Sequence, residues 1–225
     1  MEGSRDRTKL IVLAVFVLLA AGVVVAILLG RGGGGGSGSQ ASAGGCKTVE
    51  EPQPKQVSFK APRQVLTRGQ KATAVVRTSC GTFEIALDTA RAPKTANSFA
   101  FLAEEGFYDD LTFPRVAPQF VIQGGSPSNS TLGGPGYSVD EKPPANLAYT
   151  QGVVAMAKSS AEPPGRSGSQ FFVVLSADAG LPPEYALVGN VEQGMDVVER
   201  IGKLGTPAEK PTQTVLIEKI TIEKG

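Results

Sequence analysis

The sequence predicts a mainly β domain, closed into an antiparallel barrel with two α-helices and preceded by one transmembrane helix. Three observations predict it. Short segments that alternate apolar and polar residues, separated by Gly-rich turns, run from Ala72 to Glu223 and read as half-buried strands. Two stretches carry helical spacing instead. Near the amino terminus, Leu10 to Leu29 is apolar apart from Gly22. Many short strands with few helices favour closure, because a closed sheet leaves no exposed edge.

At 1.5 Å per residue, Leu10–Leu29 spans about 30 Å, the thickness of a bilayer core. Arg5, Arg7 and Lys9 precede it and Arg31 follows. This bias places residues 1–9 in the cytoplasm, residues 10–30 in the membrane as a signal anchor, and the bulk of the chain outside the cytoplasm. A cleaved signal peptide is the alternative, although the apolar run is long for one and no clear cleavage site follows. Residues 31–70 read as a linker: Gly32–Gly45 is nearly all Gly, Ser and Ala, and Lys47–Gly69 contains Pro52, Pro54 and Pro62. The folded domain is then 71–225, large enough for a single core. Cys46 and Cys80 stand 34 residues apart. In an oxidising compartment they can form a disulfide; the alternative is two unrelated thiols.

Ala72–Thr78 and Thr82–Asp88 flank Ser79-Cys80-Gly81 and read as a hairpin. Pro93 opens a helix whose face is Ala96, Phe99, Ala100 and Ala103, with Gly106 at its end. Strands follow near Thr112–Val116, Phe120–Gln123, Val153–Ala157, Phe171–Leu175 and Ala186–Val191. Met195–Ile201 is the second helix, with Met195, Val198 and Ile201 on one side, and Val215–Glu223 is the closing strand.

Composition excludes several kinds of chemistry. The formal net charge is +1, so no basic footprint for nucleic acid exists. The chain has no His, which removes the usual general base, Ser-His and Cys-His nucleophile pairs, and imidazole metal ligands. Neither a metal nor a cofactor is expected. What stands out is Arg115 within Phe113-Pro-Arg-Val-Ala-Pro-Gln-Phe-Val-Ile-Gln-Gly-Gly125. An Arg in such an apolar run is either half-exposed at an edge or directed at a ligand, since burying it alone costs several kcal/mol.

This segment, together with Gly152-Val-Val-Ala-Met-Ala157 and Gly168-Ser-Gln-Phe-Phe172, resembles the cyclophilin family of peptidyl-prolyl cis-trans isomerases, here as a bacterial, membrane-anchored member. The resemblance extends over Cys80–Asp88, Ala92–Phe99, Gly106–Asp109 and Tyr185–Val191, and so covers the whole domain. It implies a closed barrel of eight strands with a helix capping each end and an active groove on one outer face. Position by position, it makes Arg115 the catalytic residue. Phe120, Val121, Phe172 and Leu181 would line a proline pocket, with Tyr185 where the family often has His. Gln123, Ala157, Lys158 and Gln170 would hold the substrate peptide. Pro114 replaces a common His, and Gly180 stands where many members carry Trp, so cyclosporin binding is expected to be weak. The implied partners are proline-containing segments of unfolded proteins, bound by a monomer. The alternative on the same scaffold is a proline-peptide-binding module or chaperone with little turnover.

The chemistry needs nothing the composition lacks. Rotation about an X-Pro bond faces a barrier of ~18–20 kcal/mol from amide conjugation. Turnover at ~10–1,000 per second corresponds to about 13–16 kcal/mol, so the site has to remove on the order of 4–6 kcal/mol. No bond breaks and no proton moves.

Overall fold

A computed structural model describes residues 45–225; the expected transmembrane helix and the Gly-rich tether lie outside the described residues. The strands are β1 (Ala72–Thr78), β2 (Gly81–Leu87), β3 (Leu111–Thr112), β4 (Arg115–Ala117), β5 (Val121–Gly124), β6 (Val139–Asp140), β7 (Val153–Met156), β8 (Arg166–Ser167), β9 (Phe171–Val174), β10 (Leu187–Gln193) and β11 (Leu216–Lys224). The helices are α1 (Pro93–Glu104) and α2 (Met195–Gly202). No helix among the described residues is long and apolar enough to cross a membrane.

Nine strands form one sheet in the order β3-β11-β1-β2-β10-β7-β9-β5-β4, and β6 with β8 makes a separate pair. The two end strands, β3 and β4, are separated in the chain only by Phe113 and Pro114. A sheet whose two ends are consecutive pieces of one chain has to curl round on itself. The expected eight-stranded closed barrel is thus corrected to a curled sheet of nine strands, because the expected strand Thr112–Val116 is split. Its first part pairs with β11 and its second with β5. Pro114 accounts for the break, since it has no N–H to donate to a ladder.

The inner face of the curl is packed with Phe83, Ile85, Phe99, Leu102, Tyr108, Phe113, Ile122, Met156 and Phe171, all fully buried. Pro93 starts α1 as expected, and Glu141, 46 residues from Thr95, accepts from the Lys94 and Thr95 backbone N–H groups at 3.1 and 2.7 Å. A distant carboxylate therefore caps the helix and complements its dipole. α2 begins after Gly194, whose φ of +77° and contact with Thr82 O leave no room for a side chain.

Residues 45–70, read from composition as part of a flexible linker, have no helix or strand but are fastened to the body. Cys46 is joined to Cys80. Lys47, Lys55 and Phe59 donate their backbone N–H groups to Ser79 O, Pro127 O and Pro135 O. The Phe59 ring packs edge-on against Phe101 at 5.3 Å, and Leu66 is buried. Backbone pairing and three anchoring side chains outweigh the polar, Pro-rich composition.

Candidate active site

The pleat of the sheet separates two rows of residues that run across β4, β5, β9 and β7. Val116, Ile122, Val173 and Val154 are cross-strand partners and enter the core. Their chain neighbours Arg115, Gln123, Phe172 and Ala155 form the adjacent row and face outward, because successive side chains point to opposite faces. Phe171 accordingly joins Phe99, Tyr108 and Phe113 inside, while Phe172 packs outside against Tyr149 and Tyr185. A second apolar cluster forms on this outer face, containing Val121, Ala155, Phe172 and Leu187 with Phe120, Leu181 and Tyr185 against it.

Between these residues lies a hollow of about 170 Å³ lined by Arg115, Phe120, Val121, Gln123, Ala157, Lys158, Phe172, Leu181 and Tyr185. Nine of the ten residues implied by the resemblance thus meet around one niche. It is smaller than the ~300 Å³ lower limit of drug-sized sites and suits one compact apolar group. Gln170 is the exception. It lines an adjoining hollow of about 1060 Å³ formed with the 131–138 segment, which shares Arg115, Gln123, Ala157 and Lys158 with the niche.

Arg115 Nη1 donates to Gln123 Oε1 at 3.1 Å, Gln123 Nε2 donates to Gln170 Oε1 at 3.1 Å, and Gln170 Nε2 donates to Gly133 O at 2.9 Å and Thr131 O at 3.2 Å. On its other side, Arg115 Nε donates to Glu209 Oε2 at 2.6 Å. The guanidinium also lies over the Phe120 ring, 5.9 Å from its centre. Arg115 therefore lines the niche while half-buried, held on two edges and stacked on a third residue. Pro114, the residue before Arg115, stands at the break where pairing passes from β11 to β5.

The Lys158 side chain is engaged within the protein. That side chain is 6% exposed, and Nζ pairs with Glu184 at 3.2 Å and lies 5.5 Å from the centre of the Tyr185 ring. Its backbone N–H and C=O make no hydrogen bond among the described residues, which leaves them free for a peptide. The backbone N–H of Ala157, by contrast, is taken by Gln170 O at 2.8 Å. Tyr185 is fixed through its own backbone, since Tyr149 Oη donates to Tyr185 O at 2.6 Å and accepts from Tyr185 N at 3.0 Å. Burial pushes the Tyr149 phenol up to about 12. Gly180 has open space around it and adds nothing to the niche wall.

Two residues at the site escaped the sequence reading, Glu209 and Glu184. Neither lies in a periodic segment, and Glu209 is 94 positions from the arginine it meets. Residues 73–222 match the family model described as cyclophilin type peptidyl-prolyl cis-trans isomerase/CLD.

The chain belongs to the cyclophilin family. As a cyclophilin-type peptidyl-prolyl cis-trans isomerase it resembles isomerase-like 1 proteins of Aspergillus niger (36% identity over 150 residues, 64% of this chain and 91% of the relative) and Neurospora crassa (37% over 152 residues, 65% and 91%). These relatives are fungal and lend nothing to the expectation of a bacterial source. Among solved structures it is similar to a Cryptosporidium parvum cyclophilin, with 28% identity and a TM-score of 0.63 over 69% of this chain and 99% of the other. That cyclophilin has also been solved in the presence of the dipeptide Ala-Pro, and this form matches at 27% identity and a TM-score of 0.63, covering 68% of this chain and 99% of that one.

Proposed function

We propose that this cyclophilin isomerises X-Pro bonds in unfolded or folding proteins outside the cytoplasm, with Arg115 stabilising the twisted prolyl amide. The observation that carries the reading is the placement of a doubly held guanidinium on the wall of a niche sized for a pyrrolidine ring. As the bond twists, the prolyl nitrogen loses conjugation and its lone pair localises. A cation directed at that nitrogen binds the twisted state more tightly than the planar one, which is what lowers a barrier. A charged hydrogen bond contributes about 1.5–3 kcal/mol, and a preorganised donor out of bulk water reaches ~4, so the required amount is within reach of Arg115 with help from the niche. The second N–H of Gln123 and the free backbone of Lys158 serve the peptide on either side. The ring itself sits against Phe120, Phe172 and Leu181.

The Ala-Pro dipeptide used with the Cryptosporidium parvum relative has the chemistry this niche is sized for. The reaction needs no metal or cofactor. The anchor at 10–30 makes the chain a single-pass protein of the cell membrane with its domain outside, and the joined Cys46 and Cys80 favour an oxidising compartment. Cyclosporin binding is weak for want of an indole near Gly180, and the domain acts as a monomer.

A second reading has one specific observation behind it. Glu209 neutralises part of the Arg115 charge, which favours a proline-peptide-binding module or chaperone with slow turnover. Exchange NMR on an Ala-Pro peptide, with peptide affinity measured on the same sample, separates the two. The isomerase reading expects accelerated exchange at millimolar or tighter affinity; binding without acceleration would establish the module.

A further inference from the structure

We infer that Glu209 is a positioning residue for isomerisation, one that holds the Arg115 guanidinium in its working orientation. The inference rests on the reading of Arg115 as the catalytic group. An arginine side chain has four rotatable bonds, and a half-exposed one samples many rotamers unless something fixes it. Here two bonds on different edges of the planar group do so: Nη1 to Gln123 Oε1 at 3.1 Å and Nε to Glu209 Oε2 at 2.6 Å. One bond would leave rotation about its own axis; two in the same plane remove it. Nη2 is then the guanidinium nitrogen with no hydrogen-bond partner among the described residues.

The backbone around Glu209 is arranged for this contact. Glu209 O accepts from Val116 N at 2.8 Å, so the loop is pinned to the residue next to Arg115. Glu209 N donates to Thr206 O at 2.8 Å. Its φ is +58°, a left-handed conformation that Gly or Asn adopts more readily than Glu. A glutamate kept in such a conformation points to a use for its side chain.

Two consequences of the pair oppose each other. The carboxylate orients the fork, and it also cancels part of the charge that the reaction uses. Glu209 is 48% exposed, so water screens the charge cancellation, whereas no solvent effect replaces the lost orientation. Orientation therefore dominates.

The test compares Glu209→Ala, Glu209→Gln, Arg115→Ala and the Arg115→Ala/Glu209→Ala double variant in the full chain, with kcat and KM separated and folding checked by thermal melting. Glu209→Ala is expected to lower kcat about tenfold or more, the scale of a misdirected catalytic group, with KM little changed. Glu209→Gln keeps an acceptor at the same place and recovers most of that loss. The double variant is no slower than Arg115→Ala alone, because Glu209 acts through the arginine. A Glu209→Ala enzyme with the wild-type kcat, or an equal further loss in the Arg115→Ala background, overturns the proposal while leaving Arg115 in its role. Wild-type activity in Arg115→Ala overturns the underlying reading instead.

Discussion

Arg115 and Gln123 are direct cross-strand partners, and the 3.1 Å bond from Nη1 to Oε1 fixes the sense of every amide beyond it. Arginine only donates, so Gln123 has to turn its oxygen toward Arg115 and its NH2 toward Gln170. At the far end, the carbonyls of Thr131 and Gly133 only accept, so Gln170 has to turn its NH2 to them and its oxygen back to Gln123. Both ends of the relay demand the same orientation. Gln170 thereby braces Gln123 and the 131–138 segment while lining the adjoining hollow.

Gln123→Ala removes the acceptor of Arg115 and the donor to Gln170 together. A charged hydrogen bond contributes about 1.5–3 kcal/mol, and its loss corresponds to roughly a ten- to hundredfold fall in kcat/KM. Steady-state isomerisation checks this, and Gln170→Ala, which leaves the Arg115 bond in place, should lose less.

Catalysis and stability should respond differently to pH. With no histidine in the chain and no proton transferred, kcat/KM is expected to be flat from about pH 6 to 9; a bell-shaped profile would contradict the mechanism. Stability behaves otherwise at alkaline pH. Burial raises the Tyr149 phenol to about 12 and pushes Tyr108 in the same direction. An unfolded tyrosine ionises near 10. Between those values the unfolded chain binds fewer protons than the folded one, so the contribution is whole below pH 10 and is lost as pH climbs toward 12. Denaturant midpoints at pH 8, 10 and 11 test the sign.

Tyr149→Phe should destabilise the protein at neutral pH by about 1–3 kcal/mol, because it leaves the Tyr185 N–H and C=O without their partner. It should also reduce the alkaline loss. As Tyr185 lines the niche, KM rises with it.

Reducing the Cys46–Cys80 bond opens a loop of 34 residues. On the chain-entropy estimate this costs about 3–4 kcal/mol, measurable as a lower denaturant midpoint with reductant than without. Lys55 and Phe59, on that fastened segment, donate their N–H groups to Pro127 O and Pro135 O, so amides of 126–136 should exchange faster in the reduced protein.

The strands were legible because alternation reports a face directly: β1 is found at Ala72–Thr78, where the pattern places it, and Phe171 and Phe172 part to opposite sides as their adjacency requires. The motifs around Arg115 placed nearly all of the niche. What alternation cannot report is pairing between distant loops. β6 and β8 have two residues each, too few for a period, and are joined by a bidentate Arg166–Asp140 contact. The fastening of residues 45–70 depends on carbonyls of Ser79, Pro127 and Pro135, which carry no side-chain signature. Glu209 was hidden for the same reason: a lone acidic residue in a Pro-containing loop looks like solvent-facing charge until the fold brings it to Arg115.

The most direct measurement is the catalysed exchange rate of an Ala-Pro peptide with wild-type and Arg115→Ala proteins of matched thermal stability. Removing a preorganised charged donor should lower kcat by on the order of 10²–10³, with the melting temperature unchanged. An Arg115→Ala protein that turns the peptide over within about twofold of the wild-type rate, well short of a single lost hydrogen bond, would contradict the account.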